Sequence, residues 1–215
     1  MKIDPAGTPF VAAAAVPAVA LAAFQAFAWA APFALLAAAM LFFVRDPDRQ
    51  PASTSPSAVV SPADGRVMVA GAPLAGSAPG PGDWQQVTIF LSPLDVHVNR
   101  IPVTGRVTRV EYCAGRCRPA YQAEATVENE RAEIWIEGNR WKVVCRQITG
   151  VLVRRVVCRA RQGDEVRAGD RYGVMKFGSR IDLFLPEGTR LRVAVGDRVR
   201  GGETILAELA AAATV

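Results

Sequence analysis

The first 44 residues form an almost uninterrupted apolar stretch. Between Phe10 and Val44 no residue is charged, the only polar side chain is Gln25, and prolines stand at positions 17 and 32. Crossing a bilayer takes about 20 apolar residues, a length that 10–31 just reaches and that 32–44 does not. The pattern therefore predicts a membrane-inserted helical segment over 1–44, as either one span with an extension or a helical hairpin that dips into one leaflet.

A secretory signal is the competing interpretation, because Ala28-Trp29-Ala30 imitates a small-x-small cleavage site. Cleavage there would leave a second apolar stretch, 31–44, as the new terminus, which disfavours this interpretation. Arg45 and Arg49 follow the apolar stretch directly. By the positive-inside tendency they predict a protein of the cell membrane whose remaining residues lie on the cytoplasmic side.

The hydrophobic pattern changes after the apolar stretch. Residues 45–60 are rich in Pro, Ser and Ala and predict a surface linker. Beyond them, short runs with β-branched or alternating apolar residues stand between Gly, Pro, Asp and Asn. These runs are 65–70, 86–91, 105–112, 131–137, 140–146, 151–159, 181–185 and 190–195. They predict a mostly β domain over 61–215, in a sandwich or a partly closed barrel.

Two glycine-aspartate segments repeat within this domain. Residues 163–170 read GDEVRAGD and residues 196–203 read GDRVRGGE. Each combines a turn, a short strand and a second turn, which is how half-barrels of the biotinyl or lipoyl carrier type are built. Such carriers place a modified lysine between the two halves, and Lys176 lies between the two segments. A membrane-tethered carrier domain modified at Lys176 is therefore one alternative function, and a β module without chemistry is another.

Composition narrows the choice of partners. The net charge is +5 with a pI near 9.4, but no aromatic platform or helix-turn-helix pattern accompanies the arginines. This favours a lipid surface over nucleic acid, which we do not expect as a partner. The four cysteines include no Cys-x-x-Cys pair, and the chain has a single histidine, so the sequence predicts no metal site and reduced thiols. A disulfide between Cys113 and Cys117 is a disfavoured alternative.

Three separate motifs supply the groups of a self-activating serine. Ser179 follows Gly178, and a serine hydroxyl can attack the carbonyl of the residue before it where glycine allows the strained backbone. His97, the only histidine, is the one neutral-pH base available. Asp64 or Asp95 is positioned in the sequence to orient its ring, completing nucleophile, base and orienting acid.

These motifs resemble those of the phosphatidylserine decarboxylases, specifically their short bacterial and archaeal class. The likeness extends from about residue 10 to residue 209 and rests on five motifs in the same order. They are Phe42 to Pro47, Ser61 to Gly65, Asp95 to Arg100, Asn129 to Arg131, and Phe177 to Pro186. The likeness departs at Arg100, where the family often has a second histidine, and the role of the Asn129 motif does not follow from it.

The resemblance implies a self-processing enzyme of phospholipid biosynthesis. The proenzyme would cut itself between Gly178 and Ser179 into chains 1–178 and 179–215, which stay associated as a heterodimer. Ser179 would become a pyruvoyl group, the only cofactor, which accepts the electrons released as carbon dioxide leaves phosphatidylserine to give phosphatidylethanolamine. Arg100 and Arg180 are the candidate substrate-binding residues.

Overall fold

The computed structural model describes residues 2–53, 55–116, 118–122, 125–138, 141–150, 156–175 and 179–210. Its internal contacts divide the chain into two compact units, Met1–Asp48 and Arg49–Val215. The break falls where the apolar stretch ends and the polar, proline-rich composition begins.

The first unit is a helical hairpin. Helices α1 (Thr8–Ala23) and α2 (Phe27–Phe43) pack together after a 3-10 turn at Pro5–Gly7, and the short strands β1 (Lys2–Ile3) and β2 (Arg45–Asp46) pair antiparallel. Of the two arrangements predicted for 1–44, the structure has the hairpin. Gln25, with a φ of 58°, makes the turn between the helices. Every charged residue of this unit lies at the end opposite that turn.

The second unit is built from short antiparallel strands. They are β3 (Ala58–Val60), β4 (Gly65–Gly71), β5 (Trp84–Leu91), β6 (Val98–Arg100), β7 (Gly105–Cys113), β8 (Arg131–Glu137), β9 (Lys142–Ile148), β10 (Val157–Cys158), β11 (Glu165–Val166), β12 (Arg171–Val174), β13 (Ser179–Pro186), β14 (Arg190–Leu191), β15 (Arg198–Val199) and β16 (Ile205–Glu208), with one short helix, α3 (Ala125–Glu128). Eight strands form a curled sheet in the order β11-β7-β8-β9-β13-β5-β4-β15. The predicted mostly β fold with a half-barrel portion is confirmed.

Most predicted runs coincide with strands, and the differences have a local cause. The strands β6, β12 and β16 were not predicted because they are three or four residues long and lack clear alternation. The predicted run 151–159 lies partly outside the described residues, and its described end contains β10. Within the predicted linker, residues 58–60 form the buried strand β3.

The repeated segments occupy matching structural positions. Gly163 N donates to Val107 O at 2.8 Å, and Gly196 N donates to Val67 O at 2.9 Å. Both glycines have a φ near 97°, at 96° and 98°, which favours glycine at each turn. The strand after each turn, β11 or β15, then pairs with β7 or β4. The repeat is therefore structural as well as sequential.

The strands that receive these two segments repeat as well. Residues 61–67 and 101–107 share the pattern x-Pro-x-x-Gly-Arg-Val. Val60 N donates to Pro102 O and Arg100 N donates to Pro62 O, both at 2.9 Å. Such reciprocal bonds are typical of two halves related by an approximate two-fold axis.

Strand β13 is central in the large sheet and has two different faces. Ile181, Leu183 and Leu185 point into the hydrophobic core. Because side chains alternate along a strand, Arg180 and Asp182 point to the other face, where they are also buried. Ser179 shares the core face, at the first position of the strand.

Candidate active site

Ser179 begins the central strand and is fully buried. Its backbone pairs with Leu91 of β5, and its side chain is 0% exposed. Among the residues that the structure describes, none forms a hydrogen bond with its Oγ. A buried hydroxyl normally has a partner, so this atom is a candidate for chemistry. Gly178, the other half of the predicted cleavage site, lies outside the described residues, as does Lys176.

His97 is held beside the chain segment that precedes Ser179 by an extension of the β6–β12 ladder. Met175 N donates to His97 O at 3.1 Å, one step beyond the Val98–Val174 pair. Met175 is four residues before Ser179, which the chain can span by at most about 14 Å. Ser179 pairs with Leu91, and His97 contacts Met175. Two short chain segments, 91–97 and 175–179, therefore connect the pair that contains the predicted nucleophile to the pair that contains the predicted base.

The orientation of the His97 ring is set by a backbone carbonyl. Nδ1 lies 2.8 Å from Asp95 O, and the side chain is 1% exposed. Because a carbonyl can only accept, Nδ1 carries the proton and Nε2 carries the lone pair in the neutral ring. This is the tautomer that a general base at Nε2 needs.

The Asp95 carboxylate makes contacts of its own. Oδ2 accepts from Ser92 N at 2.8 Å and from Ser92 Oγ at 2.7 Å, and Oδ1 accepts from Arg198 at 3.0 Å. Asp95 thus closes the turn that leads to His97. The contact that orients the ring uses its main chain and not its side chain.

Asp64 is engaged by Arg49 and by the chain segment after β15. Arg49 donates to both carboxylate oxygens, through Nη2 to Oδ2 at 2.8 Å, and Gly201 N donates to Oδ1 at 2.8 Å. Arg49 also donates to Gly201 O at 2.8 Å. In the matching half of the repeat, Thr104 Oγ1 accepts from Ala168 N at 3.0 Å, as Asp64 accepts from Gly201 N. This hydrogen bond therefore belongs to the repeated turn, and the contact with Arg49 adds an ion pair to it at Asp64.

Arg100 and Arg180, the candidate substrate-binding residues, are both buried. Arg100 donates to Gly169 O at 3.0 Å and packs on Gly202, where a Cβ would come within 2.6 Å of Arg100 Cδ. Arg180 forms two 2.7 Å hydrogen bonds with Asp182 and also contacts Thr126. Arg180 faces away from Ser179, and these contacts connect β13 to the short helix α3.

Arg180 and Asp182 belong to a longer polar network on the outer face of the sheet. Thr88 Oγ1 donates to Asp182 at 2.8 Å, Gln86 donates to Thr88 at 2.8 Å, and Ser77 donates to Gln86 at 2.8 Å. The network ties segment 74–77 and the short helix α3 to β5 and β13. It stabilises β13 from the face of the sheet opposite Ser179.

The described cysteines are free thiols. These are Cys113, Cys145 and Cys158, while Cys117, and with it the alternative disulfide, lies outside the described residues. Burial raises the pKa of the Cys145 thiol to about 12, and Tyr172 Oη lies 3.2 Å from its sulfur. Burial likewise raises the pKa of Tyr172 well above its ordinary value.

The sequence reasoning missed three polar residues that contact the motifs of the candidate site or lie within them. Arg49 was taken only as a flanking charge, although it binds Asp64. Asn99 and Gln147 form a fully buried side-chain hydrogen bond of 2.7 Å. Asn99 lies inside the His97 motif, so its position was a signal, but Gln147 directly follows the predicted run 140–146, outside every motif, and offered none.

Comparison with known proteins decides the family. The family model described as phosphatidylserine decarboxylase matches residues 36–207. The chain belongs to the phosphatidylserine decarboxylase family. Two curated relatives are each named phosphatidylserine decarboxylase proenzyme. The one from Prosthecochloris aestuarii is 42% identical over 79% of this chain and 76% of its own length. The one from Mycobacterium bovis is 44% identical over 96% of this chain and 89% of its own length.

Membership of the phosphatidylserine decarboxylase family confirms the predicted resemblance and the enzyme class, a carboxy-lyase. The alternative of a carrier domain modified at Lys176 finds no support in these comparisons. The individual site residues Ser179, His97, Asp64, Asp95, Arg100 and Arg180 stay predictions.

The residues around position 179 fit the pyruvoyl group that the family implies. The group is made from the serine itself and is no larger than it, and Leu91 and Ile181 surround the position with apolar side chains. The Cβ of Ser179 would become the methyl carbon, which suits these apolar neighbours, and the carbonyl oxygen would replace the nitrogen on Cα, while the orphaned Oγ would leave with the Gly178 carboxylate. Within the described residues no group of three or more His, Cys, Asp or Glu side chains could hold a metal ion. The absence of a metal from the reaction therefore remains an expectation.

Proposed function

We propose that this chain is a self-processing decarboxylase that converts phosphatidylserine to phosphatidylethanolamine with release of carbon dioxide. The observation that carries the proposal is the buried Ser179 Oγ, orphaned among the described residues, at the start of a central strand. The family match and the names of the relatives support it.

Ser179 begins the processing. Its Oγ attacks the Gly178 carbonyl, the peptide nitrogen leaves, and an ester joins Gly178 to the serine oxygen. Loss of the Cα proton then eliminates the Gly178 carboxylate and leaves a dehydroalanine at position 179. Water hydrolyses the tautomeric imine, releasing ammonia and leaving the pyruvoyl carbonyl. His97 Nε2 is the group assigned to take the hydroxyl proton in the first step.

The paired strands explain how the products stay together. Strand β13 of chain 179–215 lies between β9 and β5, which both belong to chain 1–178. β15 and β16 of the smaller chain pair with β4 and β3 of the larger one. A cut at 178/179 therefore breaks one peptide bond and leaves the strand pairings of the described residues in place. In the mature enzyme, the pyruvoyl group supplies an electron sink for the decarboxylation.

The helical hairpin is the proposed membrane anchor. Pro5–Ala23 is long and apolar enough to cross a membrane, and Phe27–Phe43 is a shorter apolar helix. Large apolar side chains on the hairpin are exposed, among them Val19, Phe24, Trp29 and Leu35. Because its charges are at one end, the hairpin would enter the bilayer with its apolar turn first. Both of its ends would then lie on the cytoplasmic side, together with the β domain.

Intact-mass measurement of the purified protein under denaturing conditions tests the enzymatic proposal. We expect two chains that meet at 178/179, with the smaller one lighter by one ammonia than residues 179–215 released by simple hydrolysis, and carbon dioxide released from phosphatidylserine vesicles. A single chain with added mass on Lys176 would contradict the proposal in favour of a carrier. A single unmodified chain would contradict both.

Vesicle flotation tests the anchor. The complete chain should float with vesicles in high salt, whereas a chain lacking residues 1–44 should process itself but stay in the soluble fraction. Flotation of the shortened chain at high salt would contradict the assignment, because screening leaves only apolar contacts.

A further inference from the structure

Asn99 and Gln147 form a buried pair of neutral amides with unused hydrogen-bonding capacity. Gln147 Nε2 donates to Asn99 Oδ1 at 2.7 Å. The other atom of each amide, Asn99 Nδ2 and Gln147 Oε1, has no hydrogen-bond partner among the described residues. Exchanging nitrogen and oxygen in both amides would still leave one donor and one acceptor. Since buried polar atoms are costly to leave unpaired, the pair indicates a ligand.

The strand register places this pair next to the reactive serine. Gln147 lies opposite Ile181, two residues along β13 from Ser179 and on the same face. Gln147 is therefore a diagonal cross-strand neighbour of Ser179.

Asn99 stands in the same relation to the proposed base. It follows His97 by two residues in an extended segment, so the two side chains point to the same side. The amide pair thus lies one step deeper on the face that carries Ser179 and His97.

A glycine keeps the space that the pair needs. Gly173 of β12 pairs with Asn99, and a Cβ at this position would come within 2.7 Å of Gln147 Nε2 and 2.4 Å of Val157 O. Any larger residue would displace the Gln147 amide. The contact between Asn99 and Gln147 therefore depends on glycine at position 173.

The neutral character of the pair suits one part of the substrate. The serine head group carries a carboxylate that must leave as uncharged carbon dioxide. A buried cation would stabilise the charged carboxylate before the reaction and lose that interaction in the transition state. Neutral amides in apolar surroundings can orient the carboxylate without this penalty, and Ile181, Leu91 and Cys145 supply such surroundings.

We propose that Asn99 and Gln147 bind the serine head group at its carboxylate end. Asn99 Nδ2 donates to the carboxylate of the head group, and Gln147 Oε1 accepts from the amino nitrogen next to that carboxylate. This inference rests on the proposed decarboxylase function and adds the residues that distinguish serine from ethanolamine head groups.

Asn99→Asp tests the proposal with little change of shape, because Gln147 Nε2 can still donate to one carboxylate oxygen. The processed enzyme is first inactivated by borohydride reduction of its N-terminal carbonyl, so that binding is measured without turnover. Dissociation constants are then measured for dioctanoyl phosphatidylserine and for dioctanoyl phosphatidylethanolamine, which lacks the carboxylate. We expect at least about tenfold weaker binding of the serine lipid and less than about twofold change for the ethanolamine lipid.

Gln86→Glu is the matched control. Gln86 is also a fully buried amide, but it lies on the opposite face of the sheet with Ser77 and Thr88 as partners. Its replacement should leave the ratio of the two dissociation constants unchanged. Asn99→Leu removes the donor without adding charge, and it serves if Asn99→Asp does not process itself.

Equal loss of both lipids, or no loss of either, in both Asn99 variants would overturn the proposal and leave the pair a structural role. Failure of the decarboxylase proposal would look different. The unsubstituted protein would then remain one chain or release no carbon dioxide.

Discussion

The two faces of strand β13 are equally buried but differ in what they hold. The core face presents Ser179 followed by Ile181, Leu183 and Leu185, and the hydroxyl of the serine has no hydrogen-bond partner among the described residues. The outer face presents Arg180 and Asp182, whose charged groups are joined by two hydrogen bonds. A polar group without a partner is available for reaction, whereas one with partners fixes the structure. We therefore expect substitution of Ser179 to change the chemistry, and substitution of the Arg180–Asp182 pair to change the stability.

The largest expected effect is that of Ser179→Ala. Alanine has no hydroxyl to attack the Gly178 carbonyl, so the chain should remain uncut and show no decarboxylase activity. Its circular dichroism should stay β-rich because no hydrogen bond to a described residue is lost. Intact mass and activity measure the outcome, and efficient cutting of this variant would end the assignment of Ser179.

His97→Ala tests the base proposed to act on Ser179. General acid–base help is typically worth about 10² to 10⁴ in rate, so processing should be slowed by that order. Asp95→Asn should slow it less than about tenfold, because the ring is oriented by the Asp95 carbonyl, which that substitution keeps. Time courses after cell-free synthesis measure both rates. Normal processing of His97→Ala would remove histidine from the mechanism.

Asp182→Ala tests the outer face. It leaves the buried Arg180 without its carboxylate, which should cost about 3–5 kcal/mol of unfolding free energy. Replacing both, as Arg180→Met with Asp182→Leu, should recover most of that loss because no charge remains buried. Urea unfolding in the uncut Ser179→Ala background gives the three values. A small loss in the single variant would mean that the outer face does not carry the stability assigned to it.

The smallest expected effect is a pH dependence from the core face. Burial raises the pKa of Cys145 from an ordinary 9.0 to about 12, so the unfolded chain loses this proton at lower pH than the folded one. Stability should therefore be complete below pH 9 and fall as pH rises from 9 towards 12. Cys145→Val should flatten that slope, with Tyr172, whose pKa is also raised, supplying the remainder. Unfolding at fixed urea across this pH range measures the change, and an identical slope in the variant would contradict it.

The sequence by itself determined the elements that depend on local pattern. The apolar run of 1–44, the alternating strands such as β4, β5 and β8, and the two glycine-aspartate turns all follow from short-range spacing and backbone preference. The order of the motifs containing Ser179 and His97 was sufficient for the family, because it needs only residue identities along the chain.

Only the tertiary structure decided which side chains meet. Asp64 and Arg49 are 15 residues apart in the chain but share a bidentate contact, and Gln147 reaches Asn99 from 48 residues away. Strands β6 and β12 are too short to carry a pattern and exist because each completes the other's hydrogen bonds. The orienting contact to His97 from a main-chain carbonyl was equally invisible, since every residue has one. Such contacts depend on the register of distant strands, which is set by the packing of the whole core and not by the residues on either side.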